Sequence, residues 1–177
     1  MPNFKRMIAL ALTNSILCGT RTWSFSMKRN LLNWAGYKIG ENTKIVGPIF
    51  VTASLCVGKD TWIGRNFSVN GNGSVEIGDN CDIAPDVSFY TGGHEIGDEN
   101  RRAGKGINKK IIVKNSCWIC AASKLLPGAV IEESCVVAAG AVVTKNIEKN
   151  QLVGGVPART IKRLDDEEKR EDCQRFK

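Results

Sequence analysis

The sequence predicts a parallel β-solenoid, a fold in which short strands stack into successive coils. An aliphatic side chain recurs every six residues, and fifteen slots of this repeat hold fourteen aliphatics and one phenylalanine. The following residue is often small, and asparagine or aspartate stands at many intervening positions, where the backbone can turn. A six-residue unit of strand and corner cannot bury its aliphatic side chain alone, so the units must stack.

The repeat falls into three runs with two interruptions. The slots are Ile39, Ile45, Val51, Val57, Ile63 and Val69, then Ile77, Ile83 and Phe89, and then Val113, Ile119, Leu125, Ile131, Val137 and Val143. The register slips by two residues across 70–73, and the repeat is absent from residues 90 to 112. We expect the second interruption to be a loop that leaves the solenoid before the coils resume.

Three motifs make the chain similar to a known family. They are Ile83-Ala-Pro-Asp-Val87, Asn115-Ser-Cys-Trp-Ile-Cys120, and Val137-Ala-Ala-Gly-Ala-Val-Val-Thr-Lys-Asn-Ile147 followed by Gly154-Gly-Val-Pro-Ala-Arg159. Over residues 28 to 164 the chain resembles the hexapeptide-repeat acetyltransferases, in particular the maltose and galactoside type and those of surface-polysaccharide assembly. The resemblance implies a left-handed parallel β-helix of triangular section, with three hexads to a coil and about five coils.

Residues 1 to 38 lie before the repeat and hold two predicted helical segments. These are Met7 to Leu12 and Ser26 to Ala35, the second closed by Gly36. We expect an N-terminal helical cap over the open end of the solenoid. The alternative is a membrane-surface helix with basic residues near it.

Two further segments complete the predicted organisation. Residues 39 to 160 form the acetyltransferase domain, with the excursion loop at about 90–112. Residues 161 to 177 mix acidic and basic side chains, which predicts a charged C-terminal helix or a frayed tail.

Composition excludes several kinds of site. One histidine in the chain excludes most catalytic zinc centres and a hexapeptide-repeat carbonic anhydrase, so we expect no metal. The seven cysteines lack zinc-like spacing, and Cys81, Cys117 and Cys135 fall in a small inward slot, which predicts structural thiols. The lysines and arginines are scattered along the chain, with no aromatic platform among them, which argues against nucleic-acid binding.

The longest apolar run, Met7 to Leu12, is too short to span a bilayer. No cleavage site of the A-x-A type follows it, so it does not fit a signal peptide. We therefore expect a cytoplasmic protein, with the inner face of the membrane as a possible place of action.

His94 is the candidate catalytic base. It is the only histidine, it follows two glycines that let a ligand approach the backbone, and it starts the excursion loop. In the family a histidine at this place is the general base. The resemblance thus implies that His94 takes the proton of an alcohol or amine attacking acetyl-CoA directly, without a covalent acyl-enzyme. The alternative is an ordinary surface histidine.

The resemblance also implies a set of cofactor-binding residues: Trp118, Ala121, Ala139, Thr144, Lys145, Arg159 and Lys162. Trp118 would pack against the pantetheine arm, Lys145 would face the phosphates, and Arg159 with Lys162 would meet the 3′-phosphate end. Cys120 stands where the family usually has a glycine, and its side chain would narrow the channel that holds coenzyme A. The alternatives are that Trp118 only covers a coil and that Arg159 only ties the tail to the solenoid.

Asn70 and Asn72 are the acceptor-binding candidates, because similar sugar acetyltransferases use an Asn or Asp near this place. The alternative is a plain glycine-rich bulge. The predicted function is acetyl-CoA-dependent O-acetylation of a sugar in surface-polysaccharide biosynthesis. N-acylation of an amino sugar and a non-catalytic scaffold are the alternatives. The family implies a homotrimer with sites between subunits.

Overall fold

The computed structural model describes residues 4–164, which form a parallel β-solenoid with two helices at its N-terminal end. Helix α1 spans Phe4–Asn14 and α2 spans Thr22–Trp34. Both predicted helical segments are confirmed, and α2 begins four residues earlier than predicted. Among the described residues, no helix is long and apolar enough to cross a membrane.

Three parallel sheets form the walls of the solenoid. Wall A contains β1 (Lys38–Ile39), β4 (Ser54–Val57), β7 (Ser74–Ile77), β12 (Ile111–Val113) and β15 (Val130–Ile131). Wall B contains β2 (Lys44–Ile45), β5 (Trp62–Ile63), β8 (Asp82–Ile83), β13 (Trp118–Ile119), β16 (Val136–Val137) and β18 (Gln151–Gly154). Wall C contains β3 (Ile49–Val51), β6 (Phe67–Asn70), β9 (Ser88–Tyr90), β14 (Lys124–Leu125) and β17 (Val142–Val143).

Strand pairing follows the repeat read from the sequence. Lys44 pairs with Trp62, and Trp118 with Val136, so an ordinary coil takes eighteen residues, or three hexads. Ser54 pairs with Ser74, twenty residues on, because the coil absorbs the two extra residues of 70–73. The predicted register slip is therefore confirmed.

The excursion is an antiparallel hairpin of β10 (Gly92–Ile96) and β11 (Ala103–Asn108). It leaves the solenoid at the corner between walls C and A. Val75 in β7 pairs with Ile111 in β12, so one coil is lengthened to thirty-six residues while its pairing stays in register.

The predicted aliphatic slots form the core. Every one of the fifteen is at most 5% exposed, from Ile39 to Val143. A second inward column runs through Thr43, Thr61, Cys81, Cys117 and Cys135, all buried.

Hydrogen bonds tie this second column to the coils above it. The Thr61 hydroxyl donates to the Gly78 carbonyl at 2.9 Å, and the thiols of Cys81, Cys117 and Cys135 lie 3.0–3.1 Å from carbonyls of the next coil. Hydrogen bonding with Cys135 and Cys81, together with burial, raises the pKa of the Cys117 thiol. The structural role predicted for these cysteines is consistent with this packing.

Left-handed backbone at the corners matches the asparagine and aspartate pattern. Asn42, Asp60, Asn66 and Asn80 have φ between 54° and 56°. Asp79 instead uses its side chain as an acceptor, since its Oδ1 takes a hydrogen bond from the Lys59 amide at 2.8 Å. The corners are thus stabilised from one coil to the next.

Polar contacts dock the two helices onto the first coil. The Asn14 side chain makes two hydrogen bonds to the backbone of Ile49, at 2.7 and 2.8 Å. Lys28 is fully buried, and its ammonium donates to the carbonyls of Gly19 and Val46 at 2.9 and 3.2 Å. Desolvation lowers the pKa of Lys28. These contacts fit the predicted role of an N-terminal cap.

The C-terminal segment differs from the prediction of a helix from residue 161. Arg159–Arg163 form strand β19, which pairs antiparallel with β18 at the edge of wall B. The exposed main chain of β18 offers hydrogen bonds that a helix would leave unpaired, which explains the extended conformation. Residues 165–177 of the predicted helix lie outside the described residues.

Candidate active site

The hairpin positions His94 through its backbone pairing. His94 lies opposite Gly106, and the register shifts just beyond it, between His94 and Ile96. The ring nitrogen Nδ1 lies 2.8 Å from the carbonyl oxygen of Gly104. Because a carbonyl oxygen only accepts, Nδ1 carries the proton of the neutral imidazole, and Nε2 keeps a lone pair. The side chain is exposed in the single chain, so a substrate can reach it.

His94 opens onto a cavity of about 400 Å³ that Asn70 and Asn72 also line. The structure therefore brings together the predicted base and both predicted acceptor residues. Tyr90 and Asn108 complete the polar part of this lining. We refer to this space as the acceptor cavity.

Hydrogen bonds fix the Asn70 side chain and the glycine-rich turn beside it in the acceptor cavity. Asn70 Nδ2 donates to the Ser68 hydroxyl at 3.2 Å, and that hydroxyl donates to the Ser88 hydroxyl at 2.9 Å. The backbone N–H of Asn72 donates to Asn108 Oδ1 at 3.1 Å, which links the glycine-rich turn to the hairpin. These polar groups are thus held in place before any ligand arrives.

Gly71 is required at the floor of this cavity. Its φ is +104°, and a Cβ there would lie 2.6 Å from the backbone nitrogen of Gly92. A side chain would force the turn and the hairpin apart. The close approach of two backbones is therefore what gives the cavity its shape.

A second cavity, of about 440 Å³, lies at the C-terminal end of the solenoid, and Lys145 and Arg159 both line it. The guanidinium of Arg159 donates to the carbonyl of Ala158 at 2.9 Å, which orients the side chain. We refer to this space as the basic cavity. Its two cations outnumber the one carboxylate of the lining, Glu148, so the site suits an anionic ligand such as a phosphate. Lys162, also predicted there, lies on β19 and does not line it.

The two cavities lie along one corner of the solenoid. The hairpin follows β9 and Lys145 follows β17, and β14 is the one strand of wall C between β9 and β17. Two strand spacings amount to roughly 10 Å along the axis. An elongated ligand can thus lie along this corner with its ends in the two cavities.

Four other predicted cofactor residues do not line the basic cavity. Trp118 stands on wall B with 54% of its surface exposed. Ala121 and Ala139 lie at the next corner, between walls B and C, where the Gly140 amide donates to the Ala121 carbonyl at 2.9 Å. Thr144 adjoins Lys145 and is exposed. Within one chain, Trp118 and His94 therefore do not meet.

Cys120 follows β13 beside this second corner and is half-buried. Burial raises the pKa of its thiol, which disfavours the thiolate a nucleophile would need. The position therefore gives no sign of covalent catalysis by this residue.

Known proteins resemble the chain in sequence and in structure. It is 35% identical over 137 residues to the galactoside O-acetyltransferase of Escherichia coli strain K12, an alignment that covers 74% of this chain and 66% of that protein. A hexapeptide-repeat acetyltransferase from Vibrio cholerae, solved with acetyl-CoA, superposes with a TM-score of 0.78 at 25% identity, over 92% of this chain and 86% of that chain.

The chain belongs to the hexapeptide-repeat acetyltransferases.

A galactoside acetyltransferase solved with coenzyme A agrees, with a TM-score of 0.72 at 26% identity, covering 92% of this chain and 82% of that one. No family model matches the chain. The chain spans slightly less than two thirds of the length of the first curated relatives it matches, between 58% and 66%.

Sequence reasoning missed three contributors to the acceptor cavity. The Gly104 carbonyl, Tyr90 and Asn108 take part only because the hairpin pairs with a particular register. One signal was available for Tyr90, since it directly follows the last slot before the excursion. Nothing in the sequence marks which of the hairpin's carbonyls would meet the imidazole.

Proposed function

We propose that the chain transfers an acetyl group from acetyl-CoA to a hydroxyl of a sugar, with His94 as general base. The observation that carries this proposal is the contact of His94 Nδ1 with the Gly104 carbonyl, beside a cavity lined by Asn70 and Asn72. This contact leaves Nε2 as the basic nitrogen. Amide side chains suit a polyhydroxylated acceptor because they both donate and accept hydrogen bonds. The naming of relatives as galactoside O-acetyltransferases supports the same substrate class.

The reaction is a direct transfer within a ternary complex. The acceptor oxygen attacks the thioester carbonyl carbon while Nε2 of His94 takes the hydroxyl proton. The carbon–sulfur bond then breaks, and the imidazolium returns that proton to the departing thiolate of CoA. The protein ends in its starting protonation state and no acyl-enzyme forms. Backbone amides near the acceptor cavity would stabilise the oxyanion.

Acetyl-CoA would lie along the corner that joins the two cavities. Lys145 and Arg159 would bind its phosphates in the basic cavity, and the thioester would reach His94. Thr144 and Lys162 would contribute from positions next to this cavity.

A neighbouring subunit would complete the cofactor site. Trp118, Ala121 and Ala139 face a different side of the solenoid from His94, so one cofactor contacts both sets only if two chains supply them. A cyclic homotrimer places a corner of one chain against the flank of the next and makes three equal sites. We therefore include a homotrimer in the proposal, with a surface-polysaccharide saccharide as acceptor.

Calorimetry and turnover with matched variants test this function. Acetyl-CoA should bind the wild type at one site per chain. His94→Ala should bind it equally well yet lose about 10²- to 10⁴-fold in kcat on the best acceptor of a panel of galactosides, maltosides and amino sugars. Glu95→Ala, the exposed neighbour, is the control and should keep near-normal turnover.

Three results would contradict the proposal. Absence of acetyl-CoA binding at millimolar concentration would favour the scaffold alternative. Full activity of His94→Ala would show that His94 is not the general base. Preference for amino sugars, with acetyl appearing on nitrogen in the product, would favour the N-acyltransferase.

A further inference from the structure

Helix α2 presents an apolar stripe away from the solenoid. Trp23, Met27 and Trp34 recur at intervals of four and seven residues, which places them on one side of the helix. Their surfaces are 53%, 49% and 50% exposed. The opposite side of α2 supplies its buried residues, among them Phe25 and Leu32. The stripe therefore contributes little to the core of this chain.

The end of α1 extends this stripe into a wider surface. An apolar groove of about 480 Å³ runs between the helices and is lined by Leu12, Ile16, Leu17, Met27, Asn30 and Leu31. Ile16 is 70% exposed. We call the stripe and this groove together the cap surface.

The charge of this segment has one sign. Residues 1 to 40 contain six lysines and arginines, of which Lys28 is buried, and no aspartate or glutamate; the first acidic residue is Glu41. The net charge of +7 on the whole chain thus comes almost entirely from its N-terminal segment. The Lys5 ammonium lies 5.2 Å from the centre of the Trp34 ring, so positive charge directly borders the apolar stripe. The other exposed residues of α2 include Ser26, Asn30 and Asn33, which are uncharged.

We propose that the cap surface binds the surface of an anionic lipid bilayer. Exposed tryptophans beside aliphatic side chains suit the headgroup region, where an amphipathic ring has both an apolar and a wet neighbour. Helices that lie in this plane are stabilised jointly by apolar burial and by attraction between basic side chains and anionic lipids. A second copy of the chain fits this surface less well, because two copies would bring two basic segments together.

This inference goes beyond the proposed acetyl transfer, since no step of that reaction needs a bilayer. The cap surface lies on the two helices at the N-terminal end of the solenoid, whereas the basic cavity lies at the C-terminal end. The basic cavity therefore stays open to solvent when the cap surface is occupied. A bilayer on this surface would bring the enzyme to acceptors that carry a lipid anchor.

Cosedimentation with vesicles tests the proposal. The full chain should bind vesicles of equal parts phosphatidylcholine and phosphatidylglycerol, fail to bind phosphatidylcholine alone, and dissociate at high salt. The double variant Trp23→Ser with Trp34→Ser should bind at least about tenfold more weakly, because about half of each ring loses its apolar contact. Ile96→Ser is the matched control. Ile96 is 90% exposed but lies on the hairpin, so its substitution should leave vesicle binding unchanged.

Several outcomes would overturn the proposal. They are no binding to either vesicle, equal binding to both, or unchanged binding by the double variant. Self-association of the wild type without lipid that the double variant abolishes, seen in sedimentation velocity, would assign the surface to a second copy. Met27→Gln provides a milder variant if the double variant melts early. Acetyl-CoA calorimetry on the same preparations separates failure of this proposal from failure of the proposed function.

Discussion

Lys145 and Arg159 are fourteen residues apart in sequence, yet both line the basic cavity. The Arg159 guanidinium donates to a main-chain carbonyl with one nitrogen, and its remaining donors are available to a ligand. Lys145 follows β17 and Arg159 begins β19, so the two side chains reach the cavity from different segments. We therefore expect each to bind a different phosphate of acetyl-CoA.

Binding of two acetyl donors, one with and one without the 3′-phosphate, separates the roles of Lys145 and Arg159. Lys145→Ala and Arg159→Ala should each weaken acetyl-CoA binding by about tenfold, the loss expected for one charge-assisted hydrogen bond. With 3′-dephospho acetyl-CoA as ligand, the effect of Arg159→Ala should disappear and that of Lys145→Ala should persist. Calorimetry gives both dissociation constants, and Lys149→Ala, an exposed lysine outside the cavity lining, is the control.

Equal losses for both ligands in Arg159→Ala would contradict the assignment to the 3′-phosphate. Arg159 would then act by holding β19 against the solenoid.

At the scale of single residues, the sequence singles out candidate side chains but says less about their surroundings. His94, Asn70 and Asn72 were predicted from motif and position, and they line one cavity. The Gly104 carbonyl was not predictable, because its place opposite the imidazole depends on a register shift within the hairpin. The motif around Trp118 marks it as a cofactor-binding candidate. Its separation from His94 depends on the fold, which places Trp118 on wall B and His94 on the hairpin.

Among the structural elements, the corners between walls A and B depend on a column of glycines. A Cβ on Gly40 would lie 2.5 Å from the Gly58 carbonyl carbon, and one on Gly58 would lie 2.6 Å from that of Gly78. A Cβ on Gly78 would lie 2.8 Å from the Asn115 backbone nitrogen. Backbone atoms cannot move aside as a flexible side chain can, so each coil can approach the next only where the side chain is absent.

Gly78→Ala should therefore lower the free energy of unfolding by about 2 kcal/mol, the usual cost of overpacking. For a chain of this length that corresponds to a fall of roughly 6 °C in the melting temperature. Thermal unfolding followed by circular dichroism measures the shift. Gly106→Ala is the control, because a Cβ there has open space and should leave the melting temperature nearly unchanged. Equal melting of the two variants would show that the coils can separate at little cost.

The elements themselves were largely predictable, because a six-residue period leaves few alternatives for burying its aliphatics. The coil order, the slip at 70–73 and both helices followed from this pattern and from local signals. Two features did not follow. Strand β18 lies sixteen residues after its partner β16, so it falls outside the hexad count, and β19 owes its extended form to that strand.

On the scale of the whole molecule, each coil pairs only with the coils above and below it. Stability in such a stack is a sum of unit and neighbour terms, so the ends open more easily than the middle. Helices α1 and α2 cover the N-terminal end, while the C-terminal end holds the basic cavity.

Hydrogen exchange followed by mass spectrometry should therefore show a gradient. Amides near Ile83 and Ile119 in the middle coils should exchange most slowly, and those near Val153 faster. Acetyl-CoA should slow exchange mainly in β17, β18 and β19, because binding stabilises the states that keep the basic cavity intact. Uniform protection along the chain, or a ligand effect confined to the N-terminal coils, would refute this expectation.

The hairpin of β10 and β11 enters and leaves the solenoid at one corner, and the coils on either side pair as if it were absent. The hairpin therefore leaves the strand pairing of the walls unchanged. The proposed acceptor site and the architecture that supports it can then evolve at different rates, much as variable loops change over a constant framework. A hairpin of another length or composition could be grafted onto the same corner, and a single inherited scaffold could thereby serve many acceptors.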